Sequence, residues 1–227
     1  MKKTGLIILS VFVLGKVQAQ EYRDSTFNKF QKNKQLHAQD EIVKLKEGAL
    51  IVLLAKKTKS IEAYRSKGFE AQARKIESEQ HYINSMLYKA FQKSYTFSKV
   101  YFAWAEDLEK IKNGERSSVF LDSNLNIIPG APMNEDYFLI AEYGDLYSTS
   151  VGFADTATMQ KQYEKGEVMR KNTIVVKNVY RLQLKRPFPY YQTSHKPKNL
   201  HWKIRKWNKR LEEYHKKVMA MRKNGTT

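Results

Sequence analysis

The clearest pattern in the chain is an apolar run without alternation. It covers residues 48–55 and has the sequence GALIVLLA. Apolar side chains at successive positions cover both faces of a strand, which is typical of a central strand in a sheet flanked by helices. The run is too short to cross a bilayer, which needs about 20 apolar residues. It therefore predicts the central strand of a buried sheet, and residues 42–45 are interpreted as the approach to it.

Apolar residues at helical spacing follow this strand. The pattern begins near Ile61 and continues to Ala90. A glycine inside a helix costs about 1 kcal/mol relative to alanine. Because of Gly68, the pattern fits either one long helix or two helices separated at residues 66–68. We expect one long helix after the central strand.

Short apolar and aromatic runs predict the remaining strands. They lie at residues 100–104, 119–121, 137–141, 173–176 and 180–184, with an edge strand at 148–153. Between them the sequence predicts a short helix over 106–113, ended by Gly114, and a second helix that runs to about residue 165. These elements predict a single α/β or α+β domain with a mixed β-sheet of about five to seven strands.

Two segments near the C-terminus have distinct patterns. Residues 186–191, RPFPYY, contain two prolines that cannot donate ladder hydrogen bonds, so we expect an extended aromatic segment rather than a central strand. The last element is predicted as an amphipathic helix, because its apolar residues alternate at steps of four and three. They are Leu200, Ile204, Trp207, Leu211, Tyr214, Val218 and Met221.

The N-terminus has the pattern of a secretory signal peptide. Lys2 and Lys3 precede an apolar core at residues 6–14, and Val17 and Ala19 then occupy the two positions at which a signal peptidase reads small residues. We therefore expect cleavage near Ala19 and a periplasmic or extracellular protein; an uncleaved N-terminal anchor is the alternative. The expected organisation is a signal peptide at 1–19, a polar arm or helix at 20–40, the α/β domain at 41–194 and a basic amphipathic helix at 195–227.

Charge and composition narrow the classes of function. The 227 residues include 41 Lys and Arg against 23 Asp and Glu, a formal net charge of +18, and no cysteine. The absence of cysteine excludes disulfides, thiolate catalysis and Cys-ligated metal. The sequence also contains no H-E-x-x-H zinc motif, no phosphate-binding loop and no serine nucleophile elbow. We predict neither a cofactor nor a bound metal.

Carboxylates at the ends of predicted strands are the candidates for catalysis. Glu106 and Asp107 lie where the strand at 100–104 gives way to a helix, and Asp122 follows the strand at 119–121. Open α/β sheets bind ligands at the carboxyl ends of their strands, where carboxylates can serve in acid–base chemistry. Acids in these places also stabilise helix N-termini and close turns, and we favour that interpretation.

The strongest electrostatic feature is the C-terminal segment. Residues 195–227 contain eleven Lys and Arg and two acids. Such a segment either contacts an anionic surface or closes the domain with its apolar stripe while its charges face solvent; we expect the second. The partners considered are an anionic envelope lipid or glycan, or a partner protein, since an exported protein rarely meets nucleic acid. The candidate contact residues are Trp202, Lys203, Lys206, Lys209 and Arg210.

Four segments carry a resemblance to other proteins. They are VYFAWAEDLEKIKNG at 100–114, VFLDSNL at 119–125, YFLIAEYG at 137–144 and PFPYY at 187–191. With them, roughly residues 40–192 resemble a group of uncharacterised exported proteins from Bacteroidota-type bacteria. The resemblance implies export and a single domain, and it brings no catalytic residues with it. The strand at 100–104 and the helix start after it are also faintly similar to thioredoxin-like folds, which here would lack redox chemistry because the cysteines are absent.

The sequence favours a non-catalytic binding or interaction protein of the cell envelope, because every catalytic motif sought is missing. The alternatives are a hydrolase-type enzyme with a carboxylate site near Glu106, Asp107 and Asp122, and a redox-inactive thioredoxin-like protein. A concave pocket around those carboxylates would favour the enzyme, and an open surface would favour the binding protein.

Export is directly testable. We expect the protein recovered from the periplasm or the medium to begin near Gln20, because the peptidase pattern ends at Ala19. Mass spectrometry of the N-terminal peptide from fractionated cells measures the cleavage point. Recovery of an intact chain beginning at Met1 from the cytoplasm would contradict export.

Overall fold

The computed structural model describes residues 32–147, 167–194 and 196–225. The predicted signal peptide, the edge strand at 148–153 and the helix up to residue 165 lie outside these ranges. The mixed α/β class and the five-stranded sheet are confirmed. In chain order the elements are α1 (residues 32–47), β1 (Ala49–Leu54), α2 (Thr58–Arg65), α3 (Glu70–Ser94), β2 (Lys99–Trp104), α4 (Leu108–Lys112), β3 (Phe138–Tyr147), β4 (Val168–Lys177), β5 (Tyr191–Thr193) and α5 (Leu200–Lys223).

The sheet has the strand order β2-β1-β3-β4-β5. β1 is parallel to both β2 and β3, whereas β3–β4 and β4–β5 are antiparallel pairs. Ala49 is level with Lys99 of β2 and with Phe138 of β3, so the three parallel strands begin together. The two antiparallel strands extend the sheet to an edge at β5, beside which α5 packs.

β1 separates two hydrophobic cores. All six of its residues are buried. The even-numbered side chains from Leu50 to Leu54 face a core built with α1, α3 and α5, and the odd-numbered ones from Ala49 to Leu53 face a second core built with α4 and residues 119–133. Successive side chains of a strand point to opposite faces, so a strand between two cores must be apolar throughout. The prediction of a strand covered on both faces is confirmed.

Residues 32–47 form a single helix, which corrects the interpretation of residues 42–45 as an approach to the strand. Ala38, Ile42 and Leu45 are spaced by four and three residues, share one helix face and are buried in the first core. The helix continues across residue 40, so the predicted polar arm and the start of the domain belong to one element.

Gly48 connects α1 to β1 at a point where no side chain fits. Its N–H donates to the carbonyl oxygen of Lys44 at 2.8 Å, and the next N–H, of Ala49, donates to that of Tyr137 at 3.0 Å. A Cβ on Gly48 would lie closer to the Tyr137 carbonyl oxygen than van der Waals contact allows. The glycine therefore lets α1 end directly against the start of β3.

The helical segment after β1 is two helices rather than one. α2 ends at Arg65 and α3 begins at Glu70. Gly68 lies between them with a φ of 78°, the left-handed conformation that glycine adopts without steric cost. The expectation of one long helix is therefore wrong, because Gly68 serves as a helix terminator and not as a tolerated interior residue.

Two predicted strands do not extend into ladders. The segment at 119–121 makes isolated bridges only, because the chain turns back at Asp122. In the segment at 180–184, Gln183 alone bridges β4. On the side away from β3, the strand that pairs with β4 is β5, which begins at Tyr191, the last residue of the predicted aromatic segment.

The predicted C-terminal helix is present as α5. Most of its apolar stripe is buried in the first core. The fully buried residues of the stripe are Leu200, Ile204, Trp207, Leu211 and Val218. Among the described residues, no helix is long and apolar enough to cross a membrane.

The position of β1 gives a stability prediction. Leu53→Asp places an unpaired charge in the second core, where Leu53 is 4% exposed. An uncompensated buried charge costs several kcal/mol, against a total stability of roughly 5–15 kcal/mol. We expect the variant to be largely unfolded by circular dichroism. Ile127→Asp, at a residue that is 48% exposed, is the control and should change the free energy of unfolding by about 0.5 kcal/mol or less. Equal melting temperatures for Leu53→Asp and wild type would contradict the placement of β1 between the two cores.

Candidate functional site

Three segments that are distant in sequence enclose a groove on the surface: α1, residues 186–191 and α5. Its larger cleft has a volume of about 420 Å³ and its smaller cleft about 290 Å³. Pro187, Tyr214 and Lys217 line both clefts, which therefore form one continuous feature, the basic groove. The larger cleft is also lined by the rest of residues 186–191, Arg210 and Glu213, and the smaller cleft by Lys34, Gln35, Gln39 and Met221.

Trp207 holds α5 against one wall of the basic groove. Its side chain has no exposure, and its indole N–H donates to the carbonyl oxygen of Pro189 at 2.6 Å. Its ring stacks on Tyr95 at a centroid distance of 5.6 Å and lies edge-on to Phe91 at 6.3 Å. A buried N–H must find an acceptor, so this bond fixes residues 186–191 relative to α5.

Asn208 joins α5 to the end of α3. Its Oδ1 accepts the backbone N–H groups of Thr96 at 2.8 Å and Phe97 at 2.9 Å, and its Nδ2 donates to the hydroxyl of Thr96 and to Glu212. These bonds satisfy backbone donors between α3 and β2 that neither element pairs itself. The basic groove therefore has a rigid wall on the α5 side.

Arg210 places a guanidinium inside the basic groove. It donates to the carbonyl oxygen of Tyr191 at 2.9 Å and so contacts the edge strand β5. Burial lowers the pKa of Arg210; the nearby Tyr191 partly offsets this shift, and Arg186 adds a smaller lowering. A half-buried guanidinium without a counter-charge is an electrostatic cost. An anion in the groove would reduce that cost through a charge-assisted hydrogen bond.

The cations of the basic groove have no carboxylate partners among the described residues. Arg186, Arg210, Lys217 and Lys34 form no ion pair within 4.0 Å there. Glu213 also lines the groove, but its Oε1 lies 3.7 Å from Nζ of Lys209, which is outside the groove. The groove consequently carries an excess of positive charge.

Tyrosine side chains supply the remaining surface of the groove. The rings of Tyr190 and Tyr191 meet edge to face at 4.9 Å, and the guanidinium of Arg170 lies 5.9 Å from the Tyr191 ring. Burial raises the pKa of Tyr214 to about 12. Its hydroxyl is buried and makes no hydrogen bond to a described residue. Cations, ring faces and a neutral hydroxyl are groups that hold an anionic or hydroxylated ligand.

The three predicted carboxylates do not converge. The backbone next to Asp122 pairs antiparallel with β2, where Leu121 N–H donates to the Phe102 carbonyl oxygen at 2.9 Å. Because antiparallel neighbours run in opposite directions, Asp122 lies toward the amino end of β2. Glu106 and Asp107 follow the carboxyl end of the same strand.

Two of these acids, Asp107 and Asp122, make contacts with residues close to them in sequence. Asp107 pairs with Lys110 at 2.8 Å. Asp122 accepts the backbone N–H groups of Asn124 and Asn126, both at 2.8 Å, and so closes its own turn. Across the part of the chain that the structure describes, no cluster of three or more His, Asp or Glu side chains could hold a metal ion.

The predicted contact residues of the tail lie in different environments. Trp202 is 60% exposed, although Trp207 on the same helix is fully buried. Lys206 and Lys209 are exposed and Lys203 is half-buried. Arg210 is the member of this set that lines the basic groove.

Sequence reasoning does not identify most of the groove. It treats residues 186–191 and the basic helix as separate features, and it assigns Lys34 to a polar arm. The available signal is the spacing of Arg210, Tyr214 and Lys217 by four and three residues, which places them on one edge of the apolar stripe. Tertiary packing is still needed to bring residues 186–191 and α1 beside that edge.

Comparison with known proteins assigns the chain to no family. No family model, curated protein or solved structure matches it. The function is therefore argued from the sequence and the geometry of the basic groove.

The packing of α5 predicts that replacing its buried tryptophan, Trp207, and its exposed tryptophan, Trp202, has different effects on stability. Trp207→Ala leaves a cavity beside Tyr95 and removes the bond to Pro189, so we expect a loss of about 3–5 kcal/mol in the free energy of unfolding. Trp202→Ala, on the same helix, should cost about 0.5 kcal/mol or less. Chemical denaturation of both variants measures the difference. Equal losses would show that α5 does not dock through Trp207.

Proposed function

We propose that this is an exported, non-catalytic binding protein that contacts anionic material of the cell envelope through the basic groove and the adjoining face of α5. One observation carries the proposal: the groove gathers Arg186, Arg210 and Lys217 without a described carboxylate partner for any of them. The proposed export rests on the N-terminal sequence pattern. The resemblance to exported bacterial proteins supports the same compartment.

The clustering of these charges matters more than their number. A chain with 41 Lys and Arg and 23 Asp and Glu must leave many cations unpaired. Elsewhere cations do have acids: the partly buried Lys177 lies 2.6 Å and the exposed Arg181 2.8 Å from Glu142. Like charges in a partly desolvated groove repel one another. A site with that excess attracts anions and speeds their encounter.

The basic groove continues onto one face of α5. At 100° per residue, Lys203, Lys206, Arg210 and Lys217 fall within an arc of roughly 60° around the helix. Two of the predicted tail lysines, Lys203 and Lys206, therefore share a helix face with two residues that line the groove. This arrangement supports a contact surface that extends beyond the clefts.

The carboxylate enzyme gains no support from the arrangement of its residues. Asp107 is paired with a lysine and Asp122 closes a turn. The two described clefts lie beside α5 and include none of the three carboxylates.

Binding to anionic surfaces tests the proposal. We expect the mature protein to sediment with dextran sulfate beads or with phosphatidylglycerol vesicles at low salt, and to be released near 1 M salt. The reason is that the Debye length falls from about 10 Å at 0.1 M to about 3 Å at 1 M salt. Neutral dextran beads and phosphatidylcholine vesicles are the matched surfaces without charge.

A variant identifies the contact face. Replacing Lys203, Lys206, Lys209 and Arg210 by glutamine should strongly reduce binding at low salt, because it removes four positive charges from α5, three of them on the contact face. Glutamine at Lys56, Lys59, Lys67 and Lys75, remote in sequence from α5, is the charge-matched control. No binding of wild type to either anionic surface would contradict the proposal, as would equal losses in the two variants.

A further inference from the structure

The two clefts of the basic groove together have the size of a site for a short chain. Each is close to or above the lower limit of about 300 Å³ for small-molecule sites, and they join at Pro187, Tyr214 and Lys217. A single phosphate or carboxylate would occupy a small part of this space. The shape therefore favours a ligand that extends from one cleft into the other.

Cations are present in both clefts. Arg186 and Arg210 line the larger one, Lys34 lines the smaller one, and Lys217 lines both. Arg210 and Lys217 are seven residues apart on α5, which is roughly 10 Å along the helix axis. Two linked sugar rings cover a similar length. A ligand that carries a negative charge on successive or alternate units would match this spacing.

Neutral polar groups lie between these charges. Gln39 is 4% exposed, and the hydrogen bond that its side chain makes to a described residue is a long contact of 3.8 Å from Nε2 to the sulfur of Met221. The hydroxyl of Tyr214, at the junction of the clefts, makes none. Buried polar groups are normally satisfied. Because the Tyr214 hydroxyl has no accessible surface, a ligand rich in hydroxyl groups offers a closer partner to the Gln39 amide alone.

The apolar surface of the groove consists of rings. Pro187, Tyr190 and Tyr191 provide it on one wall, whereas the Phe188 side chain is buried in the first core. Flat rings suit the C–H face of a sugar, and tyrosine combines such a face with a polar end. The acyl chains of a lipid would instead require a continuous aliphatic surface beside the cations, and the lining residues do not supply one.

We propose that the basic groove binds an acidic oligosaccharide chain. Its carboxylate or sulfate groups lie beside Arg210 in the larger cleft and beside Lys217 at the junction, and a sugar ring packs against the tyrosines of the wall. The inference rests on the proposed function, because it names the anionic material that the protein binds.

Calorimetry of the full mature chain with defined sugars tests this inference. The probes are the tetrasaccharide of galacturonic acid and a heparin tetrasaccharide, with maltotetraose as the neutral match and galacturonate as the single unit. We expect at least one acidic tetrasaccharide to bind about tenfold or more tightly than galacturonate, because linked groups raise each other's effective concentration. Maltotetraose, which carries no charge, should bind far more weakly than the acidic tetrasaccharide that binds.

Single charge changes locate the binding to the groove. Arg186→Gln and Lys217→Gln should each weaken binding by about threefold or more, the size of one partly exposed ion pair. Lys216→Gln removes the same charge from an exposed position of α5 outside the clefts and should change affinity by less than about twofold. Both groove residues are exposed, so folding should be retained, and a thermal melt of each variant verifies it.

The outcomes separate this inference from the proposed function. Binding to phosphatidylglycerol vesicles or dextran sulfate without binding of either acidic tetrasaccharide would overturn the inference and leave the proposed function intact. Equal losses for Lys216→Gln and Lys217→Gln would also overturn it, because they would show attraction to the charge of the whole helix. Failure to bind any anionic probe would overturn both.

Discussion

The indole N–H of Trp207 reaches the carbonyl oxygen of Pro189 from a position without exposure, and the surface on that side of the molecule depends on this bond. A segment with two prolines has few backbone donors of its own and makes little regular structure. It is positioned from outside, by the indole of Trp207 and the guanidinium of Arg210. One helix therefore closes the core with its apolar side and shapes the adjoining groove with its edge.

Local patterns explain why some elements were predictable from sequence. β1 and α5 have patterns that depend on few neighbours: a continuous apolar run and a strict stripe of fours and threes. Gly68 shows the limit of such reasoning. A glycine can be tolerated inside one long helix at a cost of about 1 kcal/mol, or it can end the first of two helices, and the local sequence fits both structures. Residues 42–45 show a second limit, because apolar residues next to a strand can extend that strand or form the buried face of a helix.

The groove was not predictable because its parts are brought together only by the fold. Residues 34–39, 186–191 and 210–217 belong to three segments whose individual patterns indicate a polar helix, an aromatic loop and a charged helix. The candidate carboxylates failed for a related reason. Their positions at strand ends are visible in sequence, but the direction in which the segment around Asp122 passes β2 is not. That direction separates Asp122 from Glu106 and Asp107.

The contact between α1 and α5 has a consequence for how the protein matures. The first and last helices that the structure describes meet where Gln39 contacts Met221 and where Asp40 lies 3.7 Å from Arg222. A chain synthesised from its N-terminus exposes α1 long before α5 emerges. Until α5 docks, one wall of the groove is missing and the first core lies open beside the sheet. The groove is thus assembled last, because its α5 wall exists only after the last described helix has emerged and docked.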